Sequence, residues 1–234
     1  MTPDVPSPGG LFRHPSDGTS GVFVTGTGTE VGKTVVAAVI ARALAAEGRR
    51  VAVFKPAVTG LEDGGELDHE LLRRAAGSTQ SDEEIAPYRY GPPMSPHLAA
   101  ELAGERIEPA RLLEAVRVAA AGAESLVCEG VGGLLVPLAP GYLVRDFAAD
   151  LGLPLVVVAP PGLGTINHTL LTVEAARAAG LEVATIVLNP WPDLPNRIEE
   201  SNRETIERLS GTPVATLPQI DLANPASWPA LALS

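Results

Sequence analysis

Short runs in which nearly every position is apolar alternate along the chain with longer, alanine-rich runs. "GVFVTG" at 21–26, "RVAVFKP" at 50–56, "SLVCEG" at 125–130, "PLVVVAP" at 154–160, "EVATIVLN" at 182–189 and "TPVATLP" at 212–218 predict six strands. They are apolar on both faces, the pattern of a parallel sheet covered by helices on each side. "KTVVAAVIARALAAEG" predicts a helix over 33–48, closed by Gly48. Further helices are predicted around 167–179 and 196–210. Repeated strand-then-helix units make the expected fold α/β, a single doubly wound, mostly parallel sheet with helices on both faces. The stretch 59–91 mixes acidic, glycine and helical residues and is expected to form a loop and helices above the sheet. No internal repeat is visible.

A chain of 234 residues with 45% hydrophobic and 19% charged positions is globular and long enough for one large core. That domain is expected over 21–234. The Pro-, Gly- and Ser-rich segment 1–20 is expected to be a disordered tail. It lacks the basic start and apolar stretch of a secretory signal. No apolar run reaches membrane-spanning length, since "LGLPLVVVAPPGLG" is broken by prolines. A soluble, cytoplasmic protein with no membrane partner is therefore expected. The net charge of −11 comes with no basic stripe, which argues against a nucleic-acid partner and for a small-molecule ligand. The single cysteine, Cys128, excludes a disulfide framework and sits in an apolar run, so it is read as a small core residue.

Candidate chemistry gathers where predicted strands end. "GTGTEVGKT" at 26–34 has the form of a phosphate-binding loop, but five residues separate Gly26 from Gly32 where four are usual. A strand precedes it and a helix follows. Backbone N–H groups at such a helix start converge on one spot, and the helix dipole favours an anion there. Lys33 can reach outer phosphates and the Thr34 hydroxyl can meet Mg²⁺. Lys55 ends the second strand, at the edge where open α/β sheets bind ligands. Two lysines near one phosphate suit a reaction that builds negative charge on two partners. Glu129 ends the third strand and is followed by "GVGG", whose glycines let backbone approach a ligand. Asp68 opens a predicted helix and reads either as a metal ligand or as that helix's N-cap.

With these residues in view, the sequence resembles the dethiobiotin synthetases, ATP-dependent enzymes that close the ureido ring in biotin synthesis. The resemblance covers about 21–218. It rests on "VTGTGTEVGKT" (24–34), "KPAVTG" (55–60), "MSPH" (94–97), "CEGVGGLLVPL" (128–138), "GLGTINHTLLT" (162–172) and "LN" (188–189). The five-residue spacing in the phosphate loop belongs to this family. The resemblance implies a P-loop NTPase-like fold, with ATP as co-substrate and Mg²⁺ as cofactor. By position, Glu30, Val31, Gly32, Lys33, Thr34 and Val35 would wrap the phosphates, with Gly130, Val131 and Gly132 beside them. Thr34, Asp68 and Glu129 would hold Mg²⁺, and Lys55 with Lys33 would be catalytic. Thr29 and Thr59 would contact 7,8-diaminopelargonate; the family often has Ser where this chain has Thr59. Gly164, Thr165, Ile166 and Asn167 would bind that substrate's carboxylate across a homodimer with a shared site. Asn189 would bond the base, with Pro218, Gln219 and Ile220 lining its pocket. CO₂ or bicarbonate would be the third substrate. His97 is read as structural or pocket-lining, and His168 as packing or capping at its helix start.

Two rivals share parts of this pattern. Partitioning or septum-positioning ATPase switches have this general fold but carry a signature lysine where this chain has Gly28, and the C-terminal "ANPASWPALALS" offers no basic or amphipathic anchor. Amide-forming synthetases usually carry a glutaminase domain with a nucleophilic cysteine, and the chain has neither the length nor a cysteine in such a setting.

Overall fold

The computed structural model describes residues 20–62, 64 and 66–231. The tail expected at 1–20 therefore lies, apart from Ser20, outside the described residues. In chain order, β1 (Ser20–Gly26) leads into α1 (Lys33–Ala46) and β2 (Val51–Phe54). Next come β3 (Val58–Thr59), α2 (Asp68–Ala76), α3 (Asp82–Ile85), β4 (Arg89–Tyr90), α4 (Pro96–Leu102), α5 (Pro109–Ala119) and β5 (Ser125–Glu129). The hairpin β6 (Pro137–Ala139) and β7 (Tyr142–Leu143) precedes α6 (Val144–Leu151) and β8 (Leu155–Ala159). Then α7 (Thr165–Ala178), β9 (Val183–Trp191), α8 (Arg197–Ser210) and β10 (Val214–Pro218) follow.

Six strands make one sheet in the order β10-β9-β8-β1-β5-β2, with every pairing parallel. β1 sits inside the sheet between β5 and β8, so the chain winds away from it in both directions. Its carboxyl end is the reversal point where such sheets bind ligands. Successive side chains point to opposite faces. Val22 and Val24 meet α1 and α2, with Val53, Val127 and Val156. Phe23, Phe54 and Cys128 face the other way, toward α5 and α6. There Phe147 packs edge-on against Phe23 at 6.0 Å between ring centres. Further along that face, Val173 of α7 and Ile206 of α8 cover Ile186 and Leu188. Phe23 and Phe54 are both 0% exposed, and truncating either to alanine should cost about 3–5 kcal/mol.

All six predicted core strands and the three predicted helices are present, with ends shifted by a few residues. β9 runs on to Trp191 because β10 continues to pair beside it, Pro218 against Trp191. The stretch 59–91 forms a loop and helices, as expected, and adds the short strand pair β3–β4. At the carboxyl end of β2, Ile85 O of α3 accepts from Lys55 N–H at 2.8 Å. Helix α2 packs on the sheet face. Its Leu71, Leu72 and Ala75 are buried in the same cluster as α1, against Val51 and Val53. Apolar residues three and four apart give α2 a stripe that has to be covered, and the face beside α1 covers it. Cys128 is a buried free thiol, and burial pushes its pKa up, as suits a core residue.

Candidate active site

The phosphate-type loop is shaped by close approach. A Cβ on Gly26 would lie 2.6 Å from Val31 Cγ2, and one on Gly32 would lie 2.0 Å from Asn189 Nδ2. Gly32, the N-cap of α1, has φ 86°, and Glu30 has φ 61°, so the long loop turns through two left-handed residues. For a non-glycine residue this conformation costs roughly 1–2 kcal/mol. No side chain caps α1, and its first turn has no acidic residue. Its leading N–H groups are thus left for an anion. Lys33, 7% exposed, folds back so that Nζ donates to Gly28 O at 2.9 Å. Burial pulls its pKa down, with Glu129 opposing.

Beside the loop, the ends of β2 and β5 bring a lysine and a carboxylate together. Lys55 Nζ donates to Glu129 Oε1 at 2.7 Å and to Asp68 Oδ2 at 2.5 Å. Thr34 Oγ1 donates to the same Glu129 oxygen at 2.9 Å. Lys55 is 4% and Glu129 0% exposed. Burial acts to lower the Lys55 pKa, but Glu129 and then Asp68 outweigh it, and the ammonium is held above its ordinary value. Burial acts to raise Asp68, but Lys55 outweighs it and the carboxyl is held low. For Glu129 burial wins over Lys55, and its carboxyl is pushed up. The N-cap of α2 is Leu67, whose N–H is taken by Glu70 Oε2 at 2.9 Å. Asp68 is thus free of the capping role and turns toward Lys55.

Asp68, Glu129 and the Thr34 hydroxyl form a compact oxygen cluster, and Glu129 Oε2 is buried without a hydrogen-bond partner. Among the described residues no group of three or more His, Cys, Asp or Glu could hold a metal. Two carboxylates and a hydroxyl nevertheless suit Mg²⁺, which keeps waters and takes phosphate oxygens for its other positions.

These groups open into a cleft of about 780 Å³, within the usual size of a ligand site. Thr29, Glu30, Gly32, Thr34, Val35 and Thr59 line it together with Lys33, Lys55, Asp68 and Glu129. Val131 and Gly132 complete one wall. Gly130 packs behind, where a Cβ would lie 3.0 Å from Val144 Cγ1. Thr59 is held at the rim by β3, which pairs it with Tyr90. A smaller recess of about 90 Å³ is bounded by Asn189, Gln219 and Ile220, together with Pro190 and Leu222. Val35 and Leu222 line both spaces, so the recess adjoins the cleft. Asn189 Nδ2 donates to Val31 O at 3.3 Å. Pro218 stays within β10 and does not line the recess.

The segment 164–167 lines neither space. Thr165 is 1% exposed, its hydroxyl lies 3.4 Å from that of Thr169, and its N–H is taken by Gly162 O. Asn167 is exposed and Leu163 is 98% exposed. Asn202 Nδ2 fixes the loop by donating to Pro161 O and Gly162 O. His168 is exposed and not packed in the core; its ring lies at the helix start, where Cε1 would be 3.8 Å from a Cβ on the N-cap Gly164. His97 lines a separate depression near Leu138. Sequence reasoning missed Glu66, Met94, Ser95 and Leu222 as cleft residues. The "MSPH" block was a signal for two of them; Glu66 and Leu222 carry none.

Residues 20–227 match the family described as the AAA domain. The chain is 47% identical over 199 residues to the ATP-dependent dethiobiotin synthetase BioD of Anaeromyxobacter dehalogenans (strain 2CP-1 / ATCC BAA-258), covering 85% of this chain and 89% of that one. It is 40% identical over 195 residues to the protein of the same name from Bacillus subtilis (strain 168), covering 83% and 84%. Among solved structures, a ParA family ATPase from Chlorobium tepidum TLS superposes with a TM-score of 0.54 at 15% identity, over 89% of this chain and 90% of that one. That likeness concerns the fold alone.

Proposed function

The chain belongs to the ATP-dependent dethiobiotin synthetase family, and we propose that it carboxylates 7,8-diaminopelargonate and closes the ureido ring to give dethiobiotin. The observation that carries this reading is the meeting of Lys33, Lys55, Asp68 and Glu129 in one cleft, beside an uncapped helix start. One amine of the substrate takes up CO₂ and loses a proton to give a carbamate. A carbamate oxygen attacks the γ-phosphorus of ATP, the bond to the β-phosphate oxygen breaks, and ADP leaves. The second amine attacks the carbonyl carbon of the mixed anhydride and gives up a proton to the departing phosphate or to water, and phosphate leaves with the bonding pair.

Such a path needs positioning and charge neutralisation, with little covalent work from the protein. The α1 N–H groups hold the phosphates. Lys33 neutralises outer phosphate charge in ground and transition states alike. Lys55 lies where carbamate and phosphoryl oxygens would meet. Its pairing with both carboxylates keeps it charged, so it serves as an electrostatic stabiliser and not as a base. Mg²⁺, held by Thr34, Asp68 and Glu129, would supply further positive charge at the phosphates. Thr29 and Thr59 offer hydroxyls to the diamine end. We place the enzyme in the cytoplasm as a two-fold dimer. The 164–167 segment, which lines neither space of its own chain, would take the substrate carboxylate at the partner's site.

The test is to incubate the protein with diaminopelargonate, bicarbonate, Mg²⁺ and ATP and to look for dethiobiotin by mass. Phosphate release that ignores the diamine would overturn the reading in favour of an ATPase switch.

A further inference from the structure

After β10 the chain leaves the sheet, and residues 219–231 run across the face that carries α1 and α2. Ile220, Leu222 and Trp228 pack on the cluster beneath, and Leu231 is buried in it. This strap has few polar ties. Ala223 N–H donates to Asp221 Oδ1 and Trp228 Nε1 to Asp221 O; both bonds stay within the strap. So do the backbone bonds of Asn224, Ser227 and Trp228. Among the described residues, one side-chain hydrogen bond joins the strap to the rest of the chain: Arg74 Nη1 donates to Leu222 O at 3.0 Å. Yet Gln219, Ile220 and Leu222 form one side of the recess beside the cleft.

Arg74 is itself held in place. Its Nε and Nη2 donate to the two oxygens of Glu66 at 2.8 and 2.7 Å, a fork matched to a carboxylate. Glu66 lines the cleft, as does Leu222. Arg74 lies in the last turn of α2, and Asp68 is that helix's first residue. One guanidinium therefore ties together three pieces of the cleft rim that no sheet pairing connects: the strap, the segment before α2, and α2 with Asp68.

We propose that Arg74 is a positioning residue for the nucleotide, acting through Leu222 and Glu66 to hold the base-side wall against the phosphate side. This rests on the reading of the recess as the base site. Arg74 touches no reacting atom, so its loss loosens nucleotide binding and base selectivity and leaves the chemical step alone. The guanidinium is partly exposed, and losing one such charge-assisted bond lowers affinity by about three- to tenfold. Lysine at this position keeps the charge but cannot hold the carboxylate fork and the carbonyl together.

The experiment is calorimetric titration of the full chain with ADP and, separately, GDP, with steady-state kinetics alongside. For Arg74→Ala the ADP dissociation constant should rise about three- to tenfold, and the preference for ADP over GDP should shrink. The KM for ATP should rise in parallel, while kcat and the KM for the diamine stay within about twofold. Arg74→Lys should fall between wild type and Arg74→Ala. Adding Glu66→Ala to Arg74→Ala should cost little more, because the two side chains act as one unit. Melting curves confirm that each variant is folded. Unchanged ADP binding in Arg74→Ala overturns the proposal, as does an equal rise in the KM for the diamine. If wild-type protein binds ADP but makes no dethiobiotin, the enzymatic reading fails and the Arg74 comparison still stands on ADP binding.

Discussion

Methionine in place of Lys55 would keep most of the apolar stem and remove the charge. Glu129, 0% exposed, would then lose the ammonium 2.7 Å from its Oε1 and retain only the Thr34 hydroxyl. Leaving one member of a buried pair unpaired costs about 3–5 kcal/mol. The Asp68 side chain, 45% exposed, adds roughly 1 kcal/mol or less, because water re-solvates it. For a chain of this length the melting temperature should drop by roughly 10 °C. The deficit should depend on pH. Burial already pushes the Glu129 carboxyl up, and Lys55 is the main influence pulling it back. Without Lys55 it titrates higher still. A carboxyl that titrates higher in the folded than in the unfolded chain takes up a proton on folding. Its contribution to stability is present below the unfolded pKa and is lost as pH rises through the folded one. Asp68, held low by Lys55, works in the opposite sense, but only at pH below the ordinary carboxylate range. The gap between Lys55→Met and wild type should therefore narrow from about pH 8 to about pH 5. Thermal melts followed by circular dichroism at both values read this out. A variant that melts with wild type near pH 8, or a gap that widens toward acid, would refute the buried-pair argument. In turnover assays the same variant should lose about a hundredfold or more in kcat while nucleotide binding is largely kept.

Lys33→Ala should weaken nucleotide binding and turnover together, since Lys33 belongs to the phosphate loop; calorimetry with ADP beside steady-state kinetics checks this, and a loss confined to kcat would move its role. Glu129→Gln and Asp68→Asn should each raise the Mg²⁺ concentration at half-maximal rate, because a neutral amide is the weaker ligand for a hard cation. An unchanged midpoint for Asp68→Asn would remove Asp68 from the metal site. In a refolded equimolar mixture of Lys55→Ala and Asn167→Glu chains, about half the dimers are mixed and each has one intact site of two, so the mixture should recover roughly a quarter of wild-type activity if the 164–167 segment serves the partner's site. Asn167 is the position to use because it is exposed, whereas Thr165 is buried. Verified mixed dimers without recovery would leave the segment serving its own chain.

The chain's own pattern determined the parallel sheet. Runs such as "GVFVTG" and "PLVVVAP" are apolar on both faces, and helices on both sides of a sheet are what satisfies them. Lys33, Thr34, Lys55 and Glu129 were legible as site residues because each lies at a strand end or helix start, and a doubly wound sheet gathers such ends at one edge. The role of Asp68 was open between helix cap and ligand. Leu67 as N-cap sets the capping role aside and Lys55 at bonding distance brings Asp68 into the cleft cluster, and both depend on where α2 docks. Likewise only the tertiary structure placed Glu66 and Leu222 on the cleft and Arg74 between them. Leu222 follows Arg74 by 148 positions, and no periodicity links residues so far apart. Contacts of that kind are set by how separate elements pack, and local sequence carries no record of them.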